Sequence, residues 1–209
     1  MDISLYSYWR SSCSWRVRIV LAHKKIDYST IPIHLLQQKN VAPEYLGTNP
    51  LGQVPALTYN NFTLSQSLAI IHYIEQKHPE HSLLPASLED QARVWEICEI
   101  INSGIQPLQN LPILELAEKA GISRKEWAQK VISEGLEAIE GILVHTAGTY
   151  CVGDSVTLAD ACLIPQVYNA VRFEVDLSAF PNVSRINELC STLSAFQKSH
   201  PSAQPDAEN

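Results

Sequence analysis

The sequence predicts a small α/β layer followed by an all-helical domain. Strand-like segments with alternating or β-branched residues occur only within the first 80 or so residues, where they are interspersed with helical patterns. Helical periodicity dominates the remainder of the chain. Between the two regions, His78–Pro85 contains two prolines and short polar residues, which are typical of a linker. We therefore expect domains at residues 1–80 and 88–209, joined by a linker at 81–87.

The first domain is expected to contain four strands and two main helices. A helix is predicted at about residues 14–24, because Val17, Ile19, Val20 and Leu21 form an apolar side. Asn60-Asn61 is a two-residue hairpin signal, and Ser65-Gln66-Ser67 opens a second helix because serine is a strong N-cap. The predicted strands are residues 3–8, 28–33, 54–59 and 62–64.

The second domain shows helix-start signals at several positions. A helix is predicted over residues 93–105, and Ser123-Arg124-Lys125-Glu126 is a capping box that opens another. Thr157-Leu158-Ala159-Asp160 is a looser box before an almost wholly apolar helix, which we expect at the centre of the domain. A last helix follows Pro181, and the polar tail from Ser199 is expected to fray.

Composition excludes several classes of protein. The 209 residues are 45% hydrophobic with a formal net charge of −7, which argues against nucleic-acid binding. No apolar run approaches the ~18–20 residues of a membrane span, and the first residues do not form a signal peptide. We therefore expect neither a nucleic-acid nor a membrane partner.

The cysteines indicate a reducing compartment, and the cytoplasm is the expected location. Their number is odd, and no pair has CxxC or zinc-finger spacing, so neither a metal site nor a dithiol redox enzyme is expected. Four of them stand in apolar surroundings typical of a core: Cys98, Cys151, Cys162 and Cys190. Cys13 is the exception.

Cys13 lies in a turn between the first strand and the first helix, beside Ser11, Ser12 and Ser14. The N-terminus of a helix favours negative charge, and a charged hydrogen bond stabilises an anion by roughly 1.5–3 kcal/mol. A thiol there would therefore lose about one to two units of pKa and be largely ionised at neutral pH. Either Cys13 itself or the thiol of a bound cofactor could use this environment.

The rest of the first domain favours a bound cofactor. The strand entry Val54-Pro55 can dock an extended peptide through its backbone, and Gln66-Ser67 at a helix start can hold a carboxylate. A short acidic peptide that carries a thiol suits these parts, and glutathione fits that description.

The motifs at residues 11–18, 49–55, 66–70, 104–110, 150–154 and 169–173 together resemble the glutathione transferase superfamily, and the first and the last three resemble its zeta class. The resemblance runs from about Ile3 to Pro205 and implies a thioredoxin-like N-terminal domain before an all-α domain. The motifs are Ser-Ser-Cys-Ser-Trp-Arg-Val-Arg at 11–18, Asn-Pro with Val-Pro at 49–55, Gln-Ser-x-Ala-Ile at 66–70, Gly-Ile-Gln-Pro-Leu-Gln-Asn at 104–110, Tyr-Cys-Val-Gly-Asp at 150–154 and Asn-Ala-Val-Arg-Phe at 169–173.

The resemblance assigns expected roles to individual residues. Ser11 would donate to the glutathione sulfur, with Ser12 and Cys13 beside it as further catalytic groups. Arg172 would bind a substrate carboxylate together with Arg10. The expected cofactor-binding residues are the three of the turn with Ser14, Trp15 and Arg16, then Asn40 (where the family often has Gln), Val54 with a cis Pro55, Gln66 and Ser67 at the γ-glutamyl end, and Gln106, Asn110, Leu111 and Pro112 from the helical domain.

The same resemblance implies a cytoplasmic homodimer that isomerises maleylacetoacetate, a dicarboxylate-type substrate, to fumarylacetoacetate in tyrosine and phenylalanine breakdown. Glutathione would be its cofactor. Two alternatives stay open at this point: a glutathione transferase for other electrophiles, such as α-haloacids or maleylpyruvate, and a non-catalytic interaction protein. Purely structural roles, a helix cap for Ser11 and packing for Trp15, are open as well.

Overall fold

The computed structural model describes residues 2–208, which form two compact units. The sheet unit contains the residues up to Ser82 together with those from Leu193 onward, and the helical unit is Leu83–Thr192. The predicted fold class, an α/β layer followed by helices, is confirmed. The division between the units falls within the expected linker 81–87, and the segment from Leu193 onward, expected in the helical domain, belongs to the sheet unit.

The sheet unit is built on a mixed four-stranded sheet in the order β2-β1-β3-β4. β1 and β2 are parallel, whereas β1–β3 and β3–β4 are antiparallel. Its elements are β1 (Ile3–Ser7), α1 (Ser12–His23), β2 (Ser29–Pro32), α2 (Pro43–Leu46), β3 (Ala56–Tyr59), β4 (Phe62–Ser65), α3 (Ser67–Lys77) and α9 (Ser194–Ser199), with short 3₁₀ turns at Lys39–Val41 and Pro201–Ala203.

Strand register brings three connections to one edge of this sheet. Tyr6 of β1 lies opposite Ala56, the first residue of β3, and Ala56 lies opposite Ser65, the last residue of β4. The end of β1, the start of β3 and the end of β4 therefore coincide. The segments attached there are the turn before α1, the Val54-Pro55 dipeptide and the start of α3.

The C-terminal segment does not fray, so that expectation was wrong. α9 packs on α1, Phe196 is 2% exposed, and Pro201 and Gln204 are also buried. Arg18 of α1 donates from Nε to the carbonyl of Ser199 at 3.1 Å. The composition of the tail is polar, and its partners lie far away in the sequence, so no local pattern indicated these contacts.

The helical unit contains α4 (Leu88–Glu99), a π-helical turn (Ile100–Ile105), α5 (Leu111–Lys119), α6 (Arg124–Thr146), α7 (Leu158–Arg172), α8 (Pro181–Ser191) and a 3₁₀ turn at Leu177–Ala179. The predicted helix at 93–105 in fact starts earlier, because Ser87 caps it by accepting from the N–H of Asp90 at 3.2 Å, and its last turn is π-helical. α5 was not predicted.

α7 is the central helix of this unit, as expected, and twelve of its residues are buried. The buried Asp160 fixes its start: Oδ2 accepts from the N–H and the hydroxyl of Thr157, and Oδ1 accepts from the N–H of Cys151. The Thr157–Asp160 box is therefore a folding device, because its carboxylate joins the loop at Cys151 to the helix start.

A buried ion pair fixes the end of the sheet unit's α1. Lys24 Nζ lies 2.9 Å from Glu75 of α3, and their side chains are 1% and 4% exposed. The same ammonium donates to the carbonyls of His78, Glu80 and His81. One charge therefore joins α1, α3 and the segment that follows α3.

Replacing Lys24 with Met should destabilise the protein by about 3–5 kcal/mol, because it leaves the Glu75 carboxylate buried without its cation. The double variant K24M/E75L should recover part of this loss. Urea unfolding measures both effects. Lys25→Met is the matched control: Lys25 is exposed, so we expect a change within about 0.5 kcal/mol. A K24M variant as stable as K25M would contradict the role of the ion pair.

Candidate active site

Ser11 is the N-cap of α1. Its Oγ accepts from the N–H of Ser14 at 3.2 Å, and its carbonyl accepts from the N–H of Trp15 at 2.9 Å. The N–H groups of Ser12 and Cys13 stand in the first turn, where a helix offers them no internal acceptor. The turn therefore presents backbone donors and the positive end of the helix dipole to an anion.

The capping role of Ser11 is compatible with a catalytic one. A hydroxyl can accept one hydrogen bond and still donate its proton elsewhere. Since Ser14 N–H occupies a lone pair of Ser11 Oγ, the hydroxyl proton can be donated to a ligand. Ser11 and Cys13 are half-buried, and Ser12 is buried.

The next three residues of the motif lie inside the sheet unit. Ser14, Trp15 and Arg16 are all buried in α1. Trp15 donates from its indole Nε1 to Ser199 Oγ at 3.0 Å, while Arg16 donates from Nη1 to Ser67 Oγ at 3.2 Å. The structure thus brings together Arg16 and Ser67, two residues that the sequence assigned separately to cofactor binding.

The peptide bond between Val54 and Pro55 is cis, as predicted, and directly precedes β3. Gln53, the residue before Val54, is fixed by two side chains. Its carbonyl accepts a hydrogen bond from Tyr45 Oη and another, at 2.6 Å, from Asn49 Nδ2. Burial raises the pKa of Tyr45 to about 12, so its hydroxyl keeps its proton at neutral pH.

Gln66 and Ser67 form the third segment at this edge. Gln66 has a φ of 72°, which is left-handed backbone, and its carbonyl accepts from Ile70 N–H at the start of α3. Asn40 lies in the 3₁₀ turn and donates from Nδ2 to the carbonyl of Gly52 at 2.7 Å. Oδ1 and the second Nδ2 hydrogen of Asn40 are the groups that a role in cofactor binding would use.

In the helical unit, Gln106 and Asn110 lie on a turn that other side chains hold in place. Asn110 caps α5 by accepting from Leu111 N–H at 2.9 Å, and Pro112 follows in the first turn of α5. Between them, the buried Gln109 exchanges two hydrogen bonds with Gln166 of α7, at 3.0 and 3.1 Å. This amide pair links the turn to α7.

The two arginines expected to bind substrate carboxylates both stand near an aromatic ring. Arg172 is exposed at the C-terminal end of α7, where its guanidinium carbon lies 5.9 Å from the ring centroid of Phe173. Arg10 lies in the turn before α1 and is 5.3 Å from the ring centroid of Trp9.

Sequence reasoning missed the residues whose hydrogen bonds keep the segments with the predicted site residues in place. Tyr45 and Asn49 hold Gln53, Gln109 and Gln166 hold the turn before α5, and Arg18 donates to the carbonyls of Tyr8 and Trp9 just before Ser11. The signal for Arg18 was present, because a charge within the apolar run Val17-Arg18-Ile19 must be buried with partners.

The residues of the sheet edge fit an extended thiol peptide such as glutathione. Val54 and Tyr8 belong to one buried cluster, and Tyr8 Oη makes no hydrogen bond within the described part of the chain. A peptide docked at Val54 would supply a polar partner to this region. Among residues 2–208, no group of acidic, histidine and cysteine side chains is arranged to hold a metal ion, and no helix is long and apolar enough to cross a membrane.

Comparison with known proteins assigns the chain to a family. Models of the glutathione S-transferase N-terminal and C-terminal domains match residues 1–76 and 109–198. Maleylacetoacetate isomerase of Mus musculus is 52% identical over 97% of this chain and 94% of its own length. The chain belongs to the zeta-class glutathione transferase family.

Solved structures agree with this assignment. A bacterial zeta-class maleyl pyruvate isomerase is 37% identical, with a TM-score of 0.95 over 98% of this chain and all of that one. Maleylacetoacetate isomerase from Anaeromyxobacter dehalogenans, with glutathione in its active site, is 44% identical, with a TM-score of 0.91 over 99% of this chain and 98% of that one. Another structure of that enzyme holds dicarboxyethyl glutathione and citrate.

Replacing Tyr45 with Phe should loosen the Val54-Pro55 segment, because the carbonyl of Gln53 loses one of its two side-chain donors. Hydrogen–deuterium exchange should show faster uptake in a peptide covering residues 50–57, with unchanged uptake in α6. Tyr73→Phe is the control, since Tyr73 contacts the rings of Tyr59 and Phe62. Equal uptake in both variants would show that Tyr45 does not fix this segment.

Proposed function

We propose that this chain is a glutathione-dependent isomerase that converts maleylacetoacetate to fumarylacetoacetate. The observation that carries the proposal is the sheet edge, where the Ser11 turn, the cis Val54-Pro55 dipeptide and the start of α3 coincide. This edge combines an anion-stabilising helix start with a strand entry that can pair an extended peptide. The similarity to maleylacetoacetate isomerases over nearly the whole chain supports the choice of reaction.

The protein's task at the Ser11 turn is to keep a thiol ionised and in place. The hydroxyl of Ser11 donates to the sulfur, and the N–H groups at the start of α1 add their dipole. Bound glutathione supplies a nucleophilic thiolate that adds to the cis double bond and later leaves, so that the bond can rotate in between and glutathione is not consumed. Ser12 and Cys13 line the same turn.

The rest of the cofactor is held by the other two segments of the sheet edge. Val54 pairs its backbone with the cysteinyl part, and Gln66 with Ser67 holds the γ-glutamyl end. Arg16 supports the contact made by Ser67, because its Nη1 donates a hydrogen bond to Ser67 Oγ. The remaining cofactor contacts that we propose are those of Asn40, Gln106, Asn110, Leu111 and Pro112. Ser14 and Trp15 are buried, so we propose that they support the turn within α1.

The substrate is a dicarboxylate, and positive charge orients it. Arg172 and Arg10 are the cations that we assign to its carboxylates. The dicarboxyethyl glutathione and citrate bound to the relative from Anaeromyxobacter dehalogenans support this substrate class. Orientation of the double bond against the sulfur contributes to the rate because it replaces a bimolecular encounter with a bound geometry.

We also propose that the enzyme is a cytoplasmic homodimer. All five cysteines are free thiols, which fits a reducing compartment. Phe62 of β4 is 48% exposed, and its ring centroid lies 5.3 Å from that of Tyr73 with 49° between the ring planes, so a second copy could cover an exposed aromatic pair on the sheet unit.

The first test is turnover of maleylacetoacetate by the purified protein, with and without glutathione. We expect fumarylacetoacetate to form only with glutathione, and the concentration of free thiol to stay constant. Maleylpyruvate, the substrate of a structural relative, is assayed in parallel. A higher kcat/KM for maleylpyruvate would reassign the substrate, and loss of free thiol would indicate conjugation instead.

Replacing Ser11 with Ala should raise the pKa of the bound thiol and lower kcat/KM at neutral pH by about tenfold or more, because a charged hydrogen bond is lost. The acidic limb of the pH–rate profile should move to higher pH. Ser87→Ala is the matched control: it also removes a helix cap, worth about 1 kcal/mol, but at α4. An unchanged pH profile in S11A would refute this role.

A further inference from the structure

The peptide groups of Trp9 are held from both sides by charged side chains of opposite sign. Asp206 Oδ2 accepts from the N–H of Trp9 at 3.0 Å, and Arg18 Nη2 donates to the carbonyl of Trp9 at 2.9 Å. The first contact joins positions 197 residues apart in the chain. Trp9 lies in the short connection between β1 and α1, two residues before Ser11.

Arg18 also donates hydrogen bonds to the two residues before Trp9. Its guanidinium is fully buried and donates through Nη1 to Ser7 Oγ at 3.0 Å and to the carbonyl of Tyr8 at 3.4 Å. Its Nε donates to the carbonyl of Ser199. Burial lowers the pKa of Arg18 to about 10, and attraction to Asp206 opposes this shift, so the side chain stays charged at neutral pH.

The connection between Trp9 and Ser11 leaves little freedom. Ser11 N–H donates to the carbonyl of Tyr8 at 2.9 Å, which is the same carbonyl that Arg18 contacts. A shift of the Trp9 peptide therefore moves Ser11 and the first turn of α1 with it. Displacements of about 1 Å at a reacting group can cost up to about a hundredfold in rate.

We propose that Asp206 and Arg18 are positioning residues that set the Ser11 hydroxyl and the start of α1 against the cofactor thiol. The C-terminal segment is then a part of the thiolate site and not a surface tail. Asp206 acts through the peptide of Trp9 and does not touch the cofactor. This inference rests on the proposed binding of glutathione at the Ser11 turn.

The tail offers a matched internal control. Glu208 pairs with His34 Nε2 at 2.7 Å, and its side chain is 55% exposed. This contact joins the tail to the segment after β2 and makes no hydrogen bond to the connection that carries Ser11, whose nearest part is the Tyr8 ring, 5.4 Å from that of His34. An exposed pair of this kind contributes little to stability. Glu208→Gln therefore reports the effect of disturbing the tail without releasing Trp9.

The experiment compares the full chain with its D206A, D206N and E208Q variants. Asn at 206 retains an oxygen that can accept from Trp9 N–H, whereas Ala does not. The first readout is the ultraviolet difference absorbance of glutathione thiolate on the protein as a function of pH. The second is the pH profile of kcat/KM with the substrate that the wild type isomerises, and the third is the melting temperature.

We expect D206A to raise the pKa of bound glutathione and to lower kcat/KM at neutral pH by about tenfold. D206N should lie within about threefold of wild type, and E208Q should match wild type. The proposal is overturned if D206A lowers the melting temperature while its thiolate titration and pH profile stay at wild-type values, or if E208Q changes the titration as much as D206A does.

The thiolate readout also separates this inference from the proposed function. If the wild type ionises bound glutathione but does not isomerise maleylacetoacetate, the proposed reaction fails and the comparison of variants by thiolate titration still decides the role of Asp206. If the wild type does not ionise glutathione, both fail together. If the wild type ionises bound glutathione and isomerises maleylacetoacetate, and D206A does both equally well, only the positioning role of Asp206 is refuted.

Discussion

The register of the antiparallel strands is the constraint on which the candidate site depends. Because Ala56 lies opposite both Tyr6 and Ser65, the end of β1, the start of β3 and the end of β4 must meet at one edge. A shift of β3 by one residue would turn its buried side chains to the other face and carry Val54-Pro55 away from the Ser11 turn. The core and the site are therefore specified by the same pairing.

Buried charge is the second means by which this chain holds its connections. Arg18 lies in α1 and Lys24 directly follows it, and each is buried with several backbone carbonyls around it. A buried cation without acceptors is costly, so the loops that provide the carbonyls must keep their places. An apolar contact would tolerate sliding, whereas a guanidinium with four acceptors does not. Loops that have no regular structure of their own are ordered in this way.

Local chemistry made part of this molecule predictable from its sequence. The strand-to-helix turn at Ser11 and the strand entry at Val54-Pro55 are each determined by a few adjacent residues, and the structure places them as expected. The helix start at Ser67 is also where the sequence predicts it, but the expected serine cap was wrong, because the N-cap is Gln66 and makes no side-chain capping bond. The supporting contacts were not predictable in this way. Arg18 and Ser199 are 181 residues apart, and Gln109 and Gln166 are 57 apart, so no local pattern indicates either pair. The tail was misjudged for the same reason.

The sheet unit is discontinuous in the chain, and this affects the order in which the protein can fold during synthesis. Residues up to Ser82 leave the ribosome first, and all of the helical unit follows before Ser199 and Asp206 emerge. At translation rates of about 5–20 residues per second, the nascent sheet unit waits about 6–23 seconds with Arg18 lacking its partner at Ser199. The first segment of the sheet unit thus remains an incomplete nascent domain until α9 has emerged, and a chaperone that covers α1 during this interval would have to leave before α9 can dock.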